Sequence, residues 1–170
     1  MSKIGIVGVG AVGCACAMAA VNRGSAREIV LIDRTAKRAE AVATDIRYGT
    51  ALGPKVGIAD GDYDALNGAG VVIITSGVNE KKGGATDRND PQGRLKLLGK
   101  NAEIYSDIVP QIVRAAPDAV LLAVTDPPDP LADVALSPRS TGACSAPGRI
   151  WTASASACIS ANISVSIRPT

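Results

Sequence analysis

Apolar positions in this chain fall in short runs bounded by glycine and charge. Between the runs lie longer stretches in which small apolar residues recur every three or four positions. Runs of β-branched and apolar residues predict strands at Lys3–Gly8, Glu28–Ile32, Val71–Thr75 and Ala119–Val124, with a weaker one at Lys55–Ala59. The recurring stretches predict helices from about Ala11 to Asn22, Lys37 to Arg47 and Gly93 to Ala115. The last contains Pro110, whose ring removes a backbone hydrogen bond. A long polar loop, 77–92, follows the fourth strand, and a turn and helix over Asp126–Ala135 follow the fifth. Strands and helices alternating in this way specify an α/β fold, a doubly wound parallel sheet.

The pattern stops near residue 136. From Ser137 to Thr170 there is no Asp or Glu, and serine and alanine dominate. Alternating Ile163, Val165 and Ile167 fit a strand, but no cap or turn signal frames them. The expected organisation is therefore an incomplete domain over 1–135 and an aberrant, disordered tail over 136–170. With only short apolar runs in the tail, the fifth strand is expected to remain a sheet edge or to be covered poorly.

Composition narrows the function. The 170 residues are 46% hydrophobic with a net charge of +2, which suits a packed domain and excludes disorder over most of the chain. No apolar run reaches the length of a membrane span, and the chain enters a strand pattern at Lys3, leaving no room for a signal peptide. Cys14, Cys16, Cys144 and Cys158 lack zinc spacing and form no evident disulfide framework, which fits a cytoplasmic location. With no His there is no imidazole base and no His-ligated metal, and no metal is expected. With no Phe and 2% aromatic residues, a nucleic-acid partner is excluded too.

The chemistry starts at the first strand-to-helix turn, Gly8-Val9-Gly10-Ala11-Val12-Gly13. In a G-x-G-x-x-G turn the first glycine permits the bend, the second lets a pyrophosphate approach the backbone, and the third lets helix and strand pack closely. The phosphates sit on the positive end of the helix. Asp33 ends the second strand, where a carboxylate accepts hydrogen bonds from an adenosine ribose and repels a 2′-phosphate. Together these select NAD as the cofactor. Thr75 and Gly77 close the fourth strand on the side where the cofactor's second half would lie. In the loop beyond, Arg88 and Arg94 admit two readings, an anionic substrate site or solvated surface charge.

The chain up to about residue 135 resembles the amino-terminal half of the lactate/malate dehydrogenase family. The matching stretches are Lys3 to Gly13, Leu31-Ile32-Asp33, Ile74 to Gly77, Arg94 to Asn101, Asp107 to Pro110 and Val124 to Asp129. The resemblance implies a Rossmann NAD-binding domain and hydride transfer between nicotinamide and a small 2-hydroxy acid, in a family that forms homo-oligomers. It implies that Gly8, Gly10, Ala11, Val12, Gly13, Asp33, Thr75 and Gly77 bind the cofactor. Arg94 would polarise the substrate carbonyl, and Asn101 would lie near nicotinamide and substrate. Arg88 would occupy the substrate-discriminating position and there resembles the malate type. The family usually has Asn where this chain has Asp126, hydrogen-bonding the substrate oxygen, and an Asp adds negative charge beside an anionic substrate.

The family also needs an Asp–His pair and a further Arg beyond these residues. The genetic code offers a reason why they are missing here. Joining the last base of the Trp151 codon to the first two of the Thr152 codon gives GAC, an Asp, with no freedom. The same operation across Cys158 and Ile159 gives His or Tyr. Permissible third bases from about Gly142 onward spell RVLSTGTNLDSLRFRVHLGEHLGVDPAY, which resembles the family's continuation. The tail then reads as frameshifted, and the chain as a truncated, inactive dehydrogenase. The alternative is a non-enzymatic dinucleotide-binding module with a native, partner-binding tail.

Overall fold

The computed structural model describes residues 3–50, 53–87, 90, 92–137 and 150–152. Five strands carry the domain: β1 (Lys3–Val7), β2 (Glu28–Ile32), β3 (Gly57–Asp60), β4 (Val71–Ile74) and β5 (Val120–Ala123). A sixth, β6 (Ile150–Thr152), comes from the tail. The helices are α1 (Ala11–Asn22), α2 (Ala36–Gly49), α3 (Glu80–Gly83), α4 (Leu98–Ala115) and α5 (Pro128–Leu136). All neighbouring strands are parallel, in the order β3-β2-β1-β4-β5-β6.

Alternation along the strands divides the core in two. Ile4, Ile6, Ile29, Leu31 and Ile58 face α1 and α2. Val7, Val30, Val72, Ile74, Leu121 and Ala123 face α4 and α5. On α1 the buried positions are Gly13, Cys16, Ala17, Ala20 and Val21, a stripe of small residues at helical spacing that sets the helix close to the sheet. On α4 the buried stripe is Asn101, Tyr105, Ile108, Val109 and Ile112. Helix α4 continues past Pro110, and its expected first turn is instead a 3-10 turn over Gly93–Leu97.

The tail, expected to be disordered, supplies one short strand. Of the two outcomes expected for the fifth strand, an open edge or poor cover, the second is found: Leu121–Ala123 pairs in register with only the three residues Ile150–Thr152. An open parallel edge presents unpaired N–H and C=O groups, and three extended residues suffice to take up some of them. Helix α5 also carries the domain one residue further, to Leu136. The alternating residues Ile163, Val165 and Ile167 lie outside the described residues.

Tyr105 is fully buried in the α4 core. Burial pushes its phenol up to about 12. Thr125 is near enough to oppose that shift, yet Thr125 Oγ1 donates to the Ser76 carbonyl at 2.9 Å and Tyr105 Oη makes no hydrogen bond. Below pH ~10 the phenol is neutral in the folded and unfolded chain alike. Between ~10 and ~12 only the unfolded chain ionises, so stability falls by about 1.4 kcal/mol per pH unit from this group. Tyr105→Phe is therefore expected to flatten the alkaline limb, recovering on the order of 2 kcal/mol near pH 12. Urea unfolding of both proteins across that range measures it. Parallel limbs would contradict the assignment.

Candidate cofactor and substrate site

The strand order reverses between β1 and β4, so the connections leaving their carboxyl ends diverge and leave a crevice. A cleft of about 560 Å³ occupies it. Gly10, Ala11 and Val12 form one wall, and Thr75, Gly77 and Asp126 carry it across the ends of β4 and β5.

The three glycines of the first turn have separable tasks. Gly8 has φ +99°, and a Cβ there would stand 2.6 Å from the Ser76 nitrogen. Its N–H donates to the Ile32 carbonyl at 2.7 Å, and its own carbonyl accepts from Thr75 Oγ1 at 2.5 Å. A Cβ on Gly13 would lie on the Gly8 carbonyl oxygen and 2.9 Å from Thr75 Oγ1, so only glycine lets α1 start this close to the turn. At Gly10 a Cβ would meet nothing within 4 Å. The space above Gly10 belongs to the cleft.

Helix α1 leaves its first amides without intrahelical partners, has no side-chain cap and has no acidic residue in its first turn. Its positive end therefore faces the cleft uncompensated, the arrangement that holds a diphosphate. Asp33 stands behind this wall, half-buried. Oδ2 accepts from the Val9 N–H at 2.8 Å and Oδ1 from the Thr35 N–H at 2.9 Å. One carboxylate thus fixes both the glycine turn and the approach to α2, and each oxygen keeps lone-pair capacity for a ribose hydroxyl.

Three cationic side chains join the site that their positions in sequence did not signal. Arg38 reaches the cleft from α2, and Lys81 and Lys82 from α3. Arg38 and Asp33 both act on Cys14: burial pushes this thiol up, Arg38 pulls it down and Asp33 adds to the rise. Tyr63, raised by burial and then by Asp107 and Asp33, lies within electrostatic reach of the same carboxylate.

Local hydrogen bonds shape the described residues of the loop after β4. Asn79 caps α3, its Oδ1 accepting from the Lys82 N–H at 2.9 Å, and Gly84 ends the turn at φ +73°. Nearer α4, Asp90 pairs with Lys96 and accepts from the Gln92 N–H at 2.9 Å. The Lys96 hydrogen bond, more than any other cause, holds the Asp90 carboxyl below its usual range. The backbone of Arg94 lies in the 3-10 turn Gly93–Leu97, and Leu97 of that turn lines the cleft. Arg88 lies outside the described residues.

Asn101, the residue expected near nicotinamide and substrate, is 0% exposed. Its Oδ1 accepts from the Val78 N–H at 2.7 Å and its Nδ2 donates to the Asp126 carbonyl at 2.8 Å. The side chain ties the loop after β4 to the turn after β5, both of which line the cleft. The signal was available: Asn101 is the polar member of the buried stripe of α4.

A glycine turn at the switch point, an uncapped helix end above it and a carboxylate at the end of β2 define a dinucleotide-binding domain. Residues 2–141 match the family model of the lactate/malate dehydrogenase NAD-binding domain, and the chain belongs to that family. It is 46% identical over 133 residues to an L-lactate dehydrogenase of Deinococcus radiodurans, covering 78% of this chain and 41% of that protein. It is 45% identical over 133 residues to an L-lactate dehydrogenase of Thermus aquaticus, covering 78% of this chain and 40% of that one. Among solved structures, the minor L-lactate dehydrogenase of Enterococcus mundtii superimposes with a TM-score of 0.72 at 32% identity, over 89% of this chain and 45% of the other. A lactate dehydrogenase from a Medee basin deep-sea metagenome library gives 0.69 at 39% identity, over 83% and 42%. The chain thus spans about two fifths of the length of the curated relatives it matches. Among the described residues, no helix is long and apolar enough to cross a membrane.

Proposed function

We propose that this chain is the cofactor-binding half of an NAD-dependent 2-hydroxy acid dehydrogenase of the lactate type, and that the 170 residues alone do not turn over. The observation that carries the reading is the joining of the α1 amino end and the ends of β4 and β5 in one cleft. The L-lactate dehydrogenases among its relatives support lactate or a similar acid as the substrate. When bound, NAD supplies the hydride acceptor. The first-turn amides of α1 hold its diphosphate, Asp33 holds the adenosine ribose, and Thr75 and Gly77 guide the second half across β4. Arg94 polarises the substrate carbonyl, which stabilises the charge that hydride transfer develops there.

The family's proton transfer needs an imidazole, and these residues contain no His. In this reading the segment after residue 136 is a frameshifted product and the protein is cytoplasmic. Purified chain with NADH and pyruvate or oxaloacetate is expected to show no oxidation. Co-expression with the carboxy-terminal half of a family member is expected to restore it. Robust turnover by the 170 residues alone would overturn the proposal.

A second reading has one observation in its favour, since the tail contributes β6 to the sheet. In it the chain is a non-enzymatic dinucleotide-binding module with a native tail that binds a partner. The coding DNA around Leu136 separates the two: a one-base change that restores an acidic, His-containing continuation supports the dehydrogenase.

A further inference from the structure

We infer that the charge of Asp126 shifts this site's preference between the two redox states of its cofactor toward the oxidised form. The inference rests on the cofactor lying as proposed above, adenosine toward Asp33 and nicotinamide toward β5. The direction follows from the sheet. With ribose at the end of β2 and diphosphate over Gly10 at the end of β1, the second nucleoside has only the ends of β4 and β5 left to cross. The cleft runs that way, past Thr75 and Gly77 to Val124 and Asp126.

Asp126 is held firmly there. Its carbonyl accepts from the buried Asn101 at 2.8 Å, and the preceding Thr125 is bonded through Oγ1 to the Ser76 carbonyl at 2.9 Å. Its side chain is half-buried, so solvent screens it less than a surface charge. A carboxylate only accepts hydrogen bonds, so it suits the carboxamide N–H₂ of a nicotinamide and repels a substrate's carbonyl oxygen. The oxidised ring carries one positive charge that the reduced ring lacks. That charge is the electrostatic difference between the two ligands, and a carboxylate in the same half of the cleft stabilises it. Lys81 and Lys82 line the cleft from α3 and push the other way, Glu80 with Asp126. The contribution of Asp126 is therefore read as the change in the NAD⁺-to-NADH affinity ratio on removing its charge.

The experiment is calorimetric titration of the purified chain with NAD⁺, NADH and ADP-ribose, which lacks the nicotinamide. Asp126→Asn is expected to shift the ratio toward NADH by about fivefold, as a single charge pair near water would give. ADP-ribose affinity should stay within about twofold, which certifies that the variant is folded and the adenosine half intact. Asp126→Glu keeps the charge and should keep the ratio. Asp126→Ser, also uncharged, should reproduce the shift if the amide variant does not fold. A ratio unmoved in both uncharged variants, with ADP-ribose still bound, overturns the inference and leaves the cofactor reading standing. If the wild-type chain binds none of the three ligands, the cofactor reading itself falls and this inference with it.

Discussion

A chain carrying Gly13→Ala is expected to lose about 3 kcal/mol of stability. The added methyl would sit on the Gly8 carbonyl oxygen, with Thr75 Oγ1 2.9 Å away on the other side. Neither neighbour yields cheaply. The Gly8 peptide is tied through its N–H to Ile32 and through its oxygen to Thr75, and those bonds join the turn to β2 and β4. Relief requires α1 to move outward, which opens its contact with the sheet at Cys16, Ala17 and Ala20. Forced overpacking of this kind costs about 3 kcal/mol, a large part of what holds a small domain together. Thermal or urea unfolding followed by circular dichroism measures it. A variant within about 0.5 kcal/mol of wild type would mean that α1 does not pack as described.

Asp33→Ala is expected to act on stability and on binding together. The carboxylate accepts from Val9 and Thr35 on two connections, and hydrogen bonds to a charged group contribute on the order of 2 kcal/mol. The same substitution removes the ribose acceptor, so NAD should bind roughly 10–100-fold more weakly. It also removes the charge that repels a 2′-phosphate, and preference against the phosphorylated cofactor should narrow. Titration calorimetry with both cofactors, beside an unfolding curve, separates the effects. Lost stability with unchanged NAD affinity would make Asp33 a brace for the turn and nothing more.

Much of this architecture was legible in the chain because its central strands are apolar at nearly every position. Glu28–Ile32 is buried on both faces after its first residue, and Val71–Ile74 is buried on one face and half-buried on the other. The glycine turn was legible because Gly8 and Gly13 answer steric demands that no other residue meets, and Gly10 keeps the floor of the cleft open. Other features were hidden for physical reasons. The pairing of β6 depends on an open edge that β5 offers only after folding, so three residues in a biased tail gave no local signal. A lysine in a cleft has the same sequence signature as one in solvent, and Lys81, Lys82 and Arg38 were passed over accordingly. The expected third strand began too early because Pro54 and Lys55 precede the ladder, which starts at Gly57. The two backbone hydrogen bonds of Asn101 were hidden, since a buried amide that satisfies two backbones and one that contacts a ligand occupy the same stripe of a helix.

The account rests most heavily on the space above Gly10 being where the cofactor's diphosphate lies. Gly10→Val tests that point with little else disturbed, because the backbone there is extended at φ −85° and a Cβ meets nothing within 4 Å. Calorimetric titration of wild type and variant with NAD is the measurement. The account predicts an unfolding midpoint close to that of wild type and an NAD affinity at least about tenfold weaker, the branched side chain standing where the diphosphate approaches the backbone. A folded Gly10→Val chain that binds NAD as tightly as wild type would contradict it.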